Sequence, residues 1–197
     1  FIEDSSTKSM ALQSGDVDLV ENVTTASDLE KLSQDDAYHV STAAGVRTGN
    51  SYINFHGVLA HDALRQAVLM ALDSQTMCET TVAGMYTAGI SVLPSSLAYN
   101  YDQLTNPYPY DPAQAEALLD QAGIVDTDGD GIRELEGEEL DLNYVAYTSR
   151  NLNEFAEAIA LQLEQIGIGV TVTVCDYDTA LALQNAGEFD LITANTT

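Results

Sequence analysis

Apolar residues recur at helical spacing in some stretches of this chain and alternate with polar ones in others, and the two periods divide it into elements. From Asp62, the residues Leu64, Ala67, Val68, Ala71 and Leu72 share one helical face, with Asp62 placed to cap the helix or favour its dipole. Ser74 can cap a following helix through Thr76, Met77 and Val82 to Gly84. Asp111-Pro112 opens another, because Asp suits the N-cap and Pro the first helical position. Ala115, Leu118, Leu119 and Ala122 line its apolar side, and Gly123 stops it. The longest such run follows Ser149, with Leu152, Phe155, Ala156, Ile159, Leu163 and Ile166 on one face and Gly167 after it.

Period two appears where Leu140, Leu142 and Tyr144 alternate with Asp141 and Asn143, and again at Val170, Val172 and Val174. Asp176 can cap a helix carrying Ala180, Leu181 and Leu183 that Gly187 ends, and Phe189-Asp190-Leu191-Ile192 restarts a strand. The C-terminal third therefore reads β-α-β-α-β, an α/β arrangement whose sheet is covered by helices. Earlier in the chain the pattern is weaker. Lys8 to Gln13 fits the last turns of a helix ending at Ser14-Gly15, and Val17, Leu19 and Val23 form a strand-like run. Residues 27–33 suggest a short helix with Ser27 as its cap and Leu29 and Leu32 facing inward. Tyr38-His39-Val40 and Tyr52-Ile53-Asn54-Phe55 are strand candidates expected to pair. Residues 85–109, broken by Gly89, Pro94, Pro107 and Pro109, read as a long packed surface loop.

Composition narrows the function classes. At 197 residues and 45% hydrophobic content the chain is long enough to bury a substantial core. Six basic residues against 31 acidic ones give a formal charge of −25, which repels phosphate backbones and anionic bilayers, so nucleic acid is not an expected partner. No apolar run approaches the ~20 residues a membrane helix needs. Cys78 and Cys175 form no CxxC and read as unpaired thiols. The chain carries no GxSxG elbow, HExxH or GxxxxGK[ST], and His39, His56 and His61 have no spacing that forces them together, so catalysis is not expected. Arg65, inside an amphipathic helix, suits a salt bridge or a snorkelling role.

Asp126-Thr127-Asp128-Gly129-Asp130-Gly131 alternates acids with residues that permit a sharp turn, and a hairpin should follow. The spacing of Asp126, Asp128 and Asp130 matches the first half of a calcium loop. The second half fails, because Gly137 stands where a bidentate Glu belongs, with Glu136 and Glu138 on either side. An acidic hairpin turn is the simpler account; an acidic extracellular interaction module organised by calcium is the alternative.

The order of these pieces resembles the substrate-binding proteins of ABC importers for peptides and nickel, the extracellular solute-binding family 5. The matching residues are Ala11-Leu12-Gln13-Ser14-Gly15-Asp16-Val17-Asp18, Tyr52-Ile53-Asn54-Phe55, Asp62-Ala63-Leu64-Arg65-Gln66-Ala67 and Ala71-Leu72-Asp73. They continue with Tyr110-Asp111-Pro112, Ala117-Leu118-Leu119, Ala122-Gly123, the DTDGDGI turn, Gln165-Ile166-Gly167-Ile168 and Gly187-Glu188-Phe189-Asp190. The resemblance implies one lobe of a two-lobed periplasmic-binding-protein-like fold, α/β with a mixed sheet flanked by helices. Residues 1–35 would be the connecting segment from a missing first lobe, and 36–197 the second ligand-binding lobe, truncated at its C-terminus. It further implies an extracytoplasmic, membrane-anchored receptor that serves a membrane permease and holds a small peptide or a nickel chelate without a resident cofactor. In that family the connection after the strand at 140–146 faces the cleft, so Tyr147, Ser149 and Arg150 are expected to meet the ligand. Arg150 would pair with a carboxylate. Asn195 and Thr197 are expected beside them, because ligands of open α/β sheets bind outside the carboxyl ends of the strands.

Overall fold

The computed structural model describes residues 2–97 and 99–196. Its centre is a four-stranded mixed sheet made of β1 (Thr48–Ile53), β4 (Asp141–Tyr147), β5 (Gly169–Cys175) and β6 (Leu191–Thr196), in the order β1-β6-β4-β5. β4 runs parallel to β5 from Asp141↔Gly169 to Tyr147↔Cys175, and parallel to β6 at Tyr144↔Leu191 and Val145↔Ile192. β1 lies antiparallel along the other edge of β6, from Thr48↔Thr196 to Ile53↔Leu191. The expected β-α-β-α-β order is present, with α6 (Leu152–Glu164) between β4 and β5 and α7 (Tyr177–Ala186) between β5 and β6.

Strand alternation sorts the core. Leu142, Tyr144 and Ala146 enter one apolar cluster together with Leu64, Leu119 and Leu163 from α3 (Asp62–Met70), α5 (Pro112–Gln121) and α6. Val145 and Tyr147 enter a second, smaller cluster with Ile192 and with Ala180 of α7. Successive β4 side chains thus feed opposite faces, and helices cover both. β5 forms one edge of the sheet, which leaves Val174 46% exposed despite its place in the alternating pattern.

Local chemistry sets the ends of the helices. Asp111 accepts the Gln114 amide at 2.9 Å to cap α5, and Asp176 accepts that of Thr179 at 2.9 Å to cap α7. Gly187 takes φ 74° to close α7. For α4 (Ser74–Thr81) the cap is Asp73, not Ser74, because the Asp73 carboxylate reaches both the amide and the hydroxyl of Thr76. α2 (Ala26–Ser33) likewise starts one residue before the expected cap, Ser27, with Thr25 at the N-cap.

Two expected strands are not strands. Tyr38–Val40 and the run at Val17–Val23 carry no ladder, and Leu19 is 82% exposed. The partner of β1 comes instead from β6, so Tyr52 and Ile53 pair with Ile192 and Leu191. α1 (Ser5–Ser14) ends at Gly15 in the left-handed conformation, as its sequence implied. Residues 85–109 contain only a 3-10 turn at Tyr101–Gln103 among those described. The DTDGDG turn leads into the hairpin of β2 (Glu134–Leu135) and β3 (Glu138–Glu139). Behind it Arg133 donates from Nε to the Ile166 carbonyl at 2.8 Å and from Nη1 to Asp120 at 2.6 Å and the Ile124 carbonyl at 2.7 Å. One side chain thereby ties the end of α5 to the end of α6.

Tyr144 lies 1% exposed in the first cluster, its hydroxyl hydrogen-bonded to Ser51 of β1. Burial pushes this phenol up to about 12, with the Ser51 bond pulling the other way. The folded value exceeds the unfolded one, so the contribution is complete below pH ~10 and is lost as pH rises towards ~12, where the unfolded chain ionises first. Urea titrations across that window should show wild type losing about 2 kcal/mol more stability than Tyr144→Phe. Parallel curves would mean that the phenol ionises without unfolding cost.

A crevice at the carboxyl ends of β4 and β6

The ladder between β4 and β6 is short. It starts where Asp190 donates its amide to the Asn143 carbonyl at 2.9 Å, and its paired residues end at Val145 and Ile192. Beyond that point side chains replace the main chain. The Tyr147 amide donates to Thr193 Oγ1 at 3.3 Å, and Asn195 Nδ2 donates to the Tyr147 hydroxyl at 3.0 Å. β6 meanwhile stays paired with β1 as far as Thr196. The carboxyl ends of β4 and β6 therefore flank a seam bridged by polar side chains, at the point where the chain crosses from one side of β4 to the other.

Aromatic rings frame this seam. Tyr147 meets Tyr177, the first residue of α7, edge to face at 5.3 Å between centroids, and Tyr177 is 59% exposed. At the start of α6 Tyr86 stacks on Phe155 at 6.0 Å and donates its hydroxyl to the Arg150 carbonyl at 3.3 Å. Burial raises the Tyr86 phenol above its ordinary value, the Arg150 charge pulls it down, and Glu154 adds to the rise. Arg150 and Asn151 both adopt left-handed backbone, at φ 50° and 61°. Non-glycine residues accept that region at about 1 kcal/mol each, so the tyrosine bond helps hold the Arg150 turn in place.

Of the expected site residues, Tyr147 and Asn195 are hydrogen-bonded to each other. Ser149, half-buried, and Arg150, exposed, line one groove together with residues of α1 and the segment after it. Ser149 does not cap α6 through its side chain; its carbonyl accepts the Leu152 amide at 3.0 Å. Thr197 lies outside the described residues. Tyr86 and Tyr177, which contact Arg150 and Tyr147, and Lys8, which lines the same groove as Arg150, were not among the expected residues. Tyr177 follows directly on a strand-end cap, Asp176, a position that strand order alone could have flagged, whereas nothing in the sequence period marks Lys8.

The carboxylates of Asp126, Asp128 and Asp130 converge to within 4.8 Å of one another, all exposed. They are engaged by the backbone of their own turn: Asp126 accepts the amides of Gly129 and Gly131, Asp128 that of Asp130, and Asp130 that of Ile132. Those bonds hold the Asp126 carboxyl below the usual carboxylate value. Through Arg133 the turn abuts Ile166, at the far end of α6 from the seam. Arg65 donates to the carbonyls of Leu59 and Ala60 and pairs with Asp62, a structural role. His39, His56 and His61 are exposed, and no metal-holding group among the described residues includes them.

A mixed α/β unit with its sheet covered on both faces and a polar seam at the strand ends is a partial lobe of the periplasmic-binding-protein fold. The chain belongs to the bacterial extracellular solute-binding proteins, family 5, whose family model for the middle region spans residues 1–197. It is 27% identical over 197 residues to the nickel-binding periplasmic protein of Escherichia coli, covering 97% of this chain and 37% of that one. It is 26% identical over 192 residues to di/tripeptide-binding protein 1 of Pseudomonas aeruginosa, covering 95% and 33%. Among solved structures, NikA of Brucella suis in complex with Fe(III)-EDTA superposes with a TM-score of 0.88 at 27% identity, over 99% of this chain and 40% of that one. AppA of Bacillus subtilis in complex with a nonapeptide gives 0.81 at 22% identity over 99% and 39%, a likeness of fold. The chain thus spans less than two fifths of the curated relatives named here. The calcium-organised interaction module finds no support in these comparisons.

Proposed function

We propose that this chain supplies one wall of the ligand cleft in an extracytoplasmic receptor that delivers a small peptide or chelated nickel to the membrane permease of an ABC transporter. The observation that carries the reading is the seam where β4 and β6 stop pairing and Tyr147 and Asn195 bridge them. A sheet that opens at its carboxyl ends leaves polar groups there for a solute. Residues 1–35 act as the connecting segment from the first lobe and 36–197 as the second lobe. In support, α1 and α2 bond to each other through Ser6–Asp28 and Lys31–Gln13, and Thr24, just before α2, donates its amide to Ser5. Among the described residues, no hydrogen bond joins 2–34 to anything beyond residue 38. The relatives named above as periplasmic or peptide-binding support the compartment and the solute class, and among the described residues no helix is long and apolar enough to cross a membrane. The reading needs no resident cofactor.

Calorimetry on the complete receptor tests it, with free-acid dipeptides, an oligopeptide and a nickel chelate as titrants. Arg150→Ala should weaken a carboxylate-bearing ligand by about 1.5–3 kcal/mol, the worth of a charge-assisted hydrogen bond, without unfolding the protein. Binding unchanged by that substitution would remove Arg150 from the cleft, and a receptor that takes none of these solutes would overturn the function.

A further inference from the structure

The sheet has two outer edges, β1 and β5. β5 pairs only with β4, and that pairing uses alternate residues of its main chain. The Gly169 amide donates to the Leu140 carbonyl at 2.9 Å, and the Cys175 carbonyl accepts the Thr148 amide at 3.4 Å. The amide and carbonyl of one strand residue point the same way and successive residues alternate, so Gly169, Thr171, Thr173 and Cys175 face β4. Val170, Val172 and Val174 therefore turn theirs outward, and no hydrogen bond among the described residues reaches them from outside the sheet. Natural edges are commonly blunted by a charge, a proline or a bulge. β5 has none of these. It reads Gly-Val-Thr-Val-Thr-Val-Cys, rich in β-branched residues, Val174 is exposed, and the ladder to β4 runs unbroken from Asp141↔Gly169 to Tyr147↔Cys175.

The order of these residues points to the partner. About Val172 the strand reads the same in both directions, with Val170-Thr171 on one side and Thr173-Val174 on the other. A second copy laid antiparallel across a twofold axis at Val172 sets Val172 opposite Val172, Val170 opposite Val174 and Thr171 opposite Thr173. The outward valines become the hydrogen-bonded pairs of that ladder, each exchanging both bonds, and the threonines form the pairs between them. Every outward group is then satisfied, apolar meets apolar, and hydroxyl meets hydroxyl. The other edge lacks this symmetry: β1 reads Thr-Gly-Asn-Ser-Tyr-Ile and sets unlike residues opposite each other in the same arrangement.

We propose that β5 is a self-pairing edge, through which two copies of the receptor join antiparallel about Val172 and merge their sheets into one. The inference is independent of the ligand reading, because the seam lies between β4 and β6 and the free edge of β5 lies beyond β4. This part of each copy carries a formal charge of −25, so mutual repulsion opposes the pairing. Added salt screens that repulsion and strengthens the dimer.

Sedimentation velocity on the complete receptor tests this, over micromolar concentrations and at about 0.05 M and about 0.5 M sodium chloride. Wild type should show a monomer–dimer equilibrium whose association constant rises about tenfold or more with salt. Val174→Asp sets a carboxylate against Val170 of the second copy, and Val172→Pro removes the central outward amide while leaving the bonds to β4 in place. Each should weaken dimerisation about tenfold or more, with circular dichroism and melting showing that the fold is kept. Hydrogen exchange reads the register: the peptide covering residues 169–175 should gain protection at its outward amides as wild-type concentration rises. A receptor that stays monomeric at the higher salt, or whose two variants dimerise as strongly as wild type, overturns the proposal. So does protection of those amides at every concentration, which would mean that another part of the same polypeptide covers the edge.

Discussion

Arg133→Ala is expected to lower unfolding stability by about 3–5 kcal/mol, because it strips three acceptors of one charged donor. The guanidinium is only 14% exposed at its side chain, so the carbonyls of Ile124 and Ile166 gain little water when it leaves. Asp120, 60% exposed, adds less. The stem matters as well: a Cβ built on Gly167 would stand 3.0 Å from Arg133 Cγ, so the arginine packs directly across the helix terminus. Arg133→Lys should recover less than half of the loss, since a single ammonium cannot reproduce the fork that spans two helix ends. Urea denaturation followed by circular dichroism measures the change, and a chain of this size should melt roughly 10 °C lower. A loss under about 1 kcal/mol would show that water replaces the guanidinium at these ends.

The second large effect belongs to Leu163→Ala, expected to cost about 3–4 kcal/mol. Leu163 is fully buried on α6 against the cluster that holds Leu142, Tyr144 and Leu119, and the surrounding elements converge on it from both termini of the lobe. Its neighbour Leu161 is 62% exposed on the same helix. Leu161→Ala should therefore change stability by no more than about 0.5 kcal/mol. The pair separates burial from composition: similar losses at both positions would mean that α6 is rotated from the packing described.

The contrast between Leu161 and Leu163 shows what the sequence made legible. Apolar period fixes a helix face within a turn, so the buried sides of α3, α5 and α6 could be read from the spacing alone. Caps that act within three residues were legible too, as at Asp111 and Asp176. Where two candidates stood side by side, as at Asp73 and Ser74, a choice between side-chain reaches decided, and spacing does not encode it. Strand pairing is harder still. The run at Tyr52-Ile53 announces a strand but not its partner, and the nearest apolar segment, Tyr38–Val40, lost to β6. Of the seam residues, Asn195 followed from a rule about strand ends, which needs only strand order, and Tyr147 was also implied by the family resemblance. Lys8 and Tyr86 reach the groove and the Arg150 turn through tertiary proximity, to which a single sequence gives no periodic clue.

The placement of β1 governs how this lobe comes together in time. β4, α6 and β5 are contiguous, so their parallel pair closes over a short loop, whereas Thr48 must wait for Thr196. On a growing or translocating chain β1 emerges early and has no hydrogen-bonding partner until β6 appears, with α3 to α7 lying between them in sequence. Such high contact order slows the final step and leaves an unpaired strand edge open to the wrong neighbour meanwhile. Gly49 and Asn50 within β1 keep that waiting edge poor in apolar side chains, a modest guard against premature association.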